Sequence, residues 1–284
     1  MRNFISEDDI EQAILTKLKV EPFKYDILVC DADPSKRDDL NDGTGRTSKK
    51  ECVLPDIMLS SLKRINPAIE EDKIKEIVKT LRQDYAGTDI VDTNYKLYRQ
   101  IRNNIKITVR RNGKEDFNFV KLIDFEHPEN NTFTAVSQMW IQGKVYYRRP
   151  DILIFINGMP LVFIELKNSI VKVEEAYNKN LKDYIRDIPN LFAFNQICVL
   201  SNGLETKLGA FNATYDYFFE WLKVDSEKEK LDREAILSAE KVKDSSVRYF
   251  VDGLLNKDRL IDYIENFILF ENQRIKIIAK NHQY

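Results

Sequence analysis

The chain has 284 residues, 43% of them hydrophobic, and a formal net charge of −2, which suffices for one large domain or a domain with an appendage. Near-neutral charge argues against a protein that grips nucleic acid by charge alone, and only two histidines, His127 and His282, argue against zinc and histidine-based chemistry. No glycine-rich Walker loop, signal peptide or membrane-length apolar run is visible, which argues against ATP hydrolysis by that route and against a membrane protein.

Ser6 to Leu18 predicts a helix, with Ser6 as N-cap, acids in the first turn and an apolar stripe of Ile10, Ile14, Leu15 and Leu18. Glu11 lies beside that stripe and is either a solvated acid or one turned inward. Tyr25 to Val29 reads as a strand, and the polar, Gly- and Ser-containing stretch from Asp31 to Lys50 as a mobile loop. Val53 to Arg64 and Glu70 to Arg82 read as helices parted at Asn66-Pro67, and Thr93 to Arg102 as a further helix. Ile105 to Arg110 and Phe117 to Phe125 predict a hairpin closed at Asn112-Gly113, followed by a strand from Thr132 to Ile141 and a turn at Gln142-Gly143-Lys144. Cys30, Cys52 and Cys198 sit in apolar runs without paired spacing, as core thiols of a reducing cytoplasm would.

The stretch from Arg148 to Lys167 is the most informative. Ile152 to Ile156 and Leu161 to Ile164 are apolar runs of strand length joined by Asn157-Gly158, a pair that tolerates positive φ. Folding at that turn brings Asp151 beside Glu165, and Lys167, two residues on, shares the face of Glu165. Two carboxylates at the end of a buried hairpin repel each other. A divalent cation relieves this, and such oxygen ligands suit Mg²⁺, with Lys167 beside it to orient water. The alternative is a pair of strand-end carboxylates bridged to Arg148, Arg149 and Lys167. A second Pro-Asp with Glu-x-Lys spacing, Pro55-Asp56 with Glu71-Asp72-Lys73, lies on helical periodicity and cannot converge as a hairpin does; a third Glu-x-Lys stands at Glu205 to Lys207.

Beyond the hairpin, Lys172 to Arg186 predicts an amphipathic helix carrying Ala176, Leu181, Tyr184 and Ile185 inward and ended by Pro189. Gln196 to Leu200 predicts a buried strand and Ser201-Asn202-Gly203 a turn. The charge run from Asp225 to Lys230 marks a boundary between residues 1–224 and a connector of residues 225–284. Val247 to Phe250, Leu254-Leu255 and Leu260 to Phe270 read as helical.

Pro150-Asp151 followed by Glu165-Leu166-Lys167 resembles the PD-(D/E)xK nuclease superfamily. Residues Arg149 to Lys167, the helix Glu175 to Tyr184, and Ile197 to Gly203 are more specifically similar to the N-terminal nuclease domain of the type I restriction enzyme R (motor and restriction) subunit. The resemblance implies an α/β restriction-endonuclease-like core, a central mixed sheet flanked by helices. It implies that Asp151, Glu165 and the Leu166 carbonyl hold Mg²⁺, with Glu11 as a further ligand, and that Lys167 positions the attacking water. The family often carries Gln-x-x-x-Tyr on the next helix; here Asn180 and Tyr184 stand there, supporting the site or contacting DNA. Arg110, Arg111, Arg148 and Arg149 are candidate phosphate contacts. Phe267 to Tyr284 is similar to the approach to a helicase-like motor, Gln283 being the adenine-reading glutamine, so the sequence is expected to stop where an ATP-dependent motor begins. The implied partners are double-stranded DNA and the methyltransferase and specificity subunits, S-adenosylmethionine entering only through the methyltransferase. The rival readings are a stand-alone repair nuclease and a non-catalytic docking domain.

Overall fold

The structure, a computed structural model, describes residues 5–111, 114–221, 245–280 and 283–284, without the side chains of residues 110, 111, 114 and 245. Its centre is a seven-stranded mixed sheet built from β1 (Asp26–Val29), β4 (Phe133–Ser137), β7 (Ile152–Ile156), β8 (Met159–Leu166), β9 (Ile197–Ser201), β10 (Thr206–Gly209) and β11 (Phe219–Glu220). They lie side by side in that order. β1 pairs with β4, and β8 with β9, in parallel; the remaining ladders are antiparallel. Two hairpins outside this sheet precede β7 among the described residues, β2 (Ile105–Arg111) with β3 (Lys114–Val120) and β5 (Ile141–Gln142) with β6 (Tyr147–Arg148).

Helices cover both faces. α1 (Glu7–Lys19) starts at a capping box in which Ser6 and Asp9 satisfy each other's backbone N–H, and it buries Ile10, Ile14, Leu15 and Leu18 as the stripe predicts. α2 (Pro55–Ile65), α3 (Glu71–Leu81) and α4 (Ile90–Asn103) follow the predicted helices closely. The first face of the sheet packs against these four helices, and the second against the segment that follows β8. That segment is not one regular helix. A turn of α5 (Val173–Glu175) passes into a π segment (Ala176–Leu181) and then α6 (Lys182–Asp187).

Four expectations need correction. The strand expected from Thr132 to Ile141 is broken, because Gln138 adopts a left-handed conformation at φ 58° and turns the chain between β4 and β5. The end of the run from Leu260 to Phe270 is not helical: α8 (Lys257–Asn266) stops, and β12 (Ile268–Glu271) pairs with β13 (Ile275–Ile278). An apolar run of that length fits either period, and the exposed Leu269 beside buried Ile268 shows the alternation of a strand. The loop from Asp31 to Lys50 is irregular, yet its second half is anchored. Arg46 and Lys49 are buried around Asp42, at 2.8 and 2.6 Å, and Arg46 donates to the Glu51 and Trp140 carbonyls. The Phe117–Phe125 strand is shorter than expected, ending at Val120.

The boundary expected at Asp225 to Lys230 lies outside the described residues, as does the Asn112-Gly113 turn. Residues after it, α7 (Ser245–Leu254), α8 and the β12–β13 hairpin, share the first core. Tyr25 and Tyr98 donate to the Leu255, Ile264 and Ile268 carbonyls, and Lys276, 2% exposed, donates to Asn94 Oδ1, the Asn195 carbonyl and Gln196 Oε1 at 2.6–3.1 Å. No helix among the described residues is long and apolar enough to cross a membrane.

Candidate active site

The site is set by how β7 meets β8. All five residues of β7 and all eight of β8 are buried, and each such apolar side chain contributes roughly 1.5–3 kcal/mol by leaving water. Asn157 and Gly158 turn the chain with φ of 50° and 78°, as a two-residue hairpin turn requires. From that turn Ile156 pairs with Met159 and Phe155 with Pro160, but Ile154 pairs with Val162. Leu161 is an extra residue, a β-bulge, and its carbonyl accepts the Gln196 N–H at 2.6 Å instead of joining the ladder to β7.

The bulge decides the chemistry. An uninterrupted ladder would set Asp151 opposite Ile164 and leave Glu165 facing the other side of the sheet. With the bulge, Ile152 pairs with Ile164 and Asp151 falls opposite Glu165. The packing records the same shift: Leu161 and Val162, adjacent in sequence, both join the first core, while Phe163 joins the second with Leu153 and Phe155. Asp151 and Glu165 follow that second face.

Leu166 N–H donates to Asp151 Oδ2 at 2.7 Å, and Lys167 Nζ donates to the Leu166 carbonyl at 2.9 Å and to Glu165 Oε1 at 3.2 Å. Glu7 Oε1 lies 3.9 Å from the same ammonium. Glu165 is 2% exposed, and its Oε2 is buried with no hydrogen-bond partner. Burial, opposed by the Leu166 N–H and Lys167, pushes the Asp151 carboxyl up to about 6. Burial, then the Asp151 charge, pushes Glu165 well above the ordinary carboxylate range. Tyr184 stands beside Glu165 and Asn180, donates to the Arg149 carbonyl at 3.1 Å and packs edge-on to Phe163; burial and then the two carboxylates hold its phenol well above the usual value.

The other sequence candidates separate. Glu11 is buried and is linked to the site by Gln138, whose Nε2 donates to Glu11 Oε2 and lies 3.5 Å from Asp151 Oδ1; the Asp151 charge also adds to the burial that raises the Glu11 pKa. Arg148 does not pair with the site acids: it donates to Asp187 and, at 3.2 Å, to Asp183 on α6. Arg149 donates to the Ala32 carbonyl and lies over the Trp140 ring. Gln283 accepts the Lys280 N–H at 2.8 Å and so caps its own turn. The side chains of Arg110 and Arg111 lie outside the described residues. The competing motifs do not converge: Asp56 and Glu71 sit on α2 and α3, and Glu205 pairs with Lys207 at the edge of β10. Sequence reading missed Gln138 and Glu7. Glu7 carried only the signal of a helix-start acid, and Gln138 none beyond a polar residue interrupting an apolar run.

Among the described residues no three His, Cys, Asp or Glu side chains gather as a metal cluster. The set that fits a hard cation is two carboxylates and a backbone carbonyl, with the orphaned Glu165 Oε2 as the atom that lacks a partner.

A family model for the type I restriction enzyme R protein N terminus matches residues 4–217. The chain is 32% identical over 289 residues to the type I restriction enzyme HindI endonuclease subunit of Haemophilus influenzae, covering 99% of this chain and 26% of that protein. It is 31% identical over 259 residues to a protein of Methanocaldococcus jannaschii described as the MjaIXP type I restriction enzyme endonuclease subunit, covering 84% of this chain and 24% of that one. The type I restriction enzyme EcoprrI endonuclease subunit of Escherichia coli is 27% identical over 173 residues, 58% of this chain and 50% of its own length. The chain thus spans about a quarter of the length of the first two relatives. With its residues 4–217 matched, the chain belongs to the family of type I restriction enzyme R protein N-terminal domains.

Proposed function

We propose that this chain is the Mg²⁺-dependent endonuclease part of a type I restriction R subunit, hydrolysing DNA phosphodiester bonds after ATP-driven translocation by a motor elsewhere in the longer protein. Target choice falls to the specificity subunit, within an assembly whose methyltransferase uses S-adenosylmethionine. The observation that carries the reading is the register that sets Asp151 opposite Glu165 on the central strands, with Glu165 Oε2 buried and unpartnered and Lys167 Nζ 3.2 Å from Glu165 Oε1.

Asp151, Glu165 and the Leu166 carbonyl would hold the cation, which supplies charge neutralisation and Lewis acidity when bound. The Leu166 N–H fixes Asp151 Oδ2, and Oδ1, which the Gln138 amide approaches at 3.5 Å, keeps a lone pair to ligate. Lys167 has three donors; two go to Leu166 and Glu165, and the third orients a water toward phosphorus. That water's oxygen bonds to phosphorus as the P–O bond to the leaving sugar oxygen breaks and the proton passes on to the leaving side. Tyr184 stands beside Glu165 and supports it from the protein side.

The test uses the full R subunit assembled with its partners. Asp151→Ala, Glu165→Ala and Lys167→Ala each lower cleavage by at least about a thousandfold while ATP hydrolysis and assembly persist. Wild-type cleavage by Asp151→Ala would leave the docking-domain reading instead.

A further inference from the structure

We propose that Gln138 is a positioning residue of this site: its side-chain amide holds Asp151 in place and ties the buried Glu11 to it. The inference rests on the reading of Asp151 and Glu165 as a metal-holding pair. Gln138 breaks the strand between β4 and β5 in a left-handed conformation that side chains other than glycine adopt at a cost. Asn and Gly occupy such a position more readily, so local backbone preference alone does not call for glutamine.

What the residue does there accounts for it. Its backbone N–H donates to the Asp151 carbonyl at 3.0 Å, so the two residues are fixed to each other through the main chain. Its Nε2 carries two hydrogens, and two carboxylates stand within reach, Glu11 Oε2 from α1 and Asp151 Oδ1 at the head of β7. Turning the amide over would set its oxygen against both carboxylates, so the donor side belongs there. Gln138 Oε1 is then left buried with no hydrogen-bond partner, as Glu165 Oε2 is. Each of these buried acceptors lacks a protein donor, which water or a hydrated cation can supply. Glu11 thus acts on the site as a carboxylate held through an amide. Outer partners of this kind typically alter metal affinity 10–100-fold when removed.

The experiment compares wild type, Gln138→Asn, Gln138→Ala and Asp151→Ala of this 284-residue chain in Mn²⁺ calorimetry and thermal unfolding. Asparagine keeps the amide but is one methylene too short to reach both carboxylates, and it tolerates the left-handed backbone. The expected result is about tenfold weaker Mn²⁺ binding for Gln138→Asn with a cooperative unfolding transition retained, and no binding for Asp151→Ala. Gln138→Asn with wild-type affinity, beside an inactive Asp151→Ala, overturns the role of Gln138 and leaves the metal reading standing. Wild-type binding by Asp151→Ala overturns the metal reading, and this inference with it. The second readout is the Mg²⁺ dependence of cleavage by the assembled R subunit. Gln138→Asn should raise the half-maximal Mg²⁺ concentration about tenfold, with cleavage largely recovered at saturation; an unchanged Mg²⁺ requirement overturns the proposal.

Discussion

Asp151 Oδ2 accepts the backbone N–H of Leu166 at 2.7 Å, so the first carboxylate of the site is held by the residue whose own carbonyl is held by Lys167. The site is built across two strands but fastened at one residue. That arrangement keeps a carboxylate where the low dielectric disfavours its charge, and it makes the metal-free protein sensitive to pH.

The Asp151 carboxyl titrates near 6 in the folded chain against about 3.8 unfolded. Because the folded value is raised, the stabilising contribution is full below the unfolded value and is lost as pH rises through about 6. Asp151→Asn removes the charge and keeps an acceptor for the Leu166 N–H. In metal-free buffer at pH 7.5 it should be more stable than wild type by about 1–3 kcal/mol, the gap closing toward pH 4. Differential scanning fluorimetry across that range measures it; a gap independent of pH would show that the buried carboxylate is not its source.

Gly158 is closed to any side chain. Its φ is 78°, and an added Cβ would lie 2.6 Å from the Leu54 carbonyl oxygen and 2.8 Å from Met58 N, both backbone atoms at the start of α2. Gly158→Ala should cost about 2–4 kcal/mol, or roughly 5–10 °C in the unfolding midpoint. A midpoint within 2 °C or so of wild type would show that α2 yields to the turn.

Arg148 is tied to α6. It donates to Asp187, whose carboxyl is held below the usual range by Arg186 first and Arg148 after it. A depressed carboxylate contributes stability above its unfolded pKa and loses it as pH falls through the folded one. Arg148→Ala should therefore destabilise the chain by on the order of 1 kcal/mol at neutral pH, less in acid, with Mn²⁺ affinity unchanged. A large loss of DNA affinity without loss of stability would instead make it a phosphate contact.

Lys276 is a buried lysine whose hydrogen-bond partners are all neutral, and burial holds its pKa well below the ordinary lysine value. The unfolded chain binds that proton more tightly, so stability from this group rises with pH toward the unfolded value of about 10.5. Lys276→Met removes this dependence and takes a donor from the Asn94, Asn195 and Gln196 acceptors, at a cost on the order of 2 kcal/mol. Denaturant unfolding at pH 7 and pH 9.5 gives both; parallel pH slopes for the two proteins would show the lysine charged and satisfied in the fold.

The hairpin, its turn and the three residues Asp151, Glu165 and Lys167 were legible in the sequence, because Asn157-Gly158 and two apolar runs admit few other folds. The bulge was not. Leu161 is apolar like its neighbours, and nothing in its identity says that it leaves the ladder, although Asp151 and Glu165 share a face only because it does. Gln138 was hidden for the opposite reason: a polar residue within a run that otherwise reads as one strand gives no sign of a change in φ. Charged residues such as Arg46 and Lys49 read as solvated, and only the fold shows Asp42 between them. The π segment likewise leaves no mark on the amphipathic pattern of Lys172 to Arg186.

The strand order has a consequence for assembly. Among the described residues β8 is the middle strand of seven, and the outer ones are short: four residues in β1 and two in β11. Open backbone at a sheet margin is what lets a second chain zip on by adding a strand, and such short margins offer almost none. Among the described residues, the strand that carries Glu165 is therefore shielded from strand exchange by three neighbours on either side.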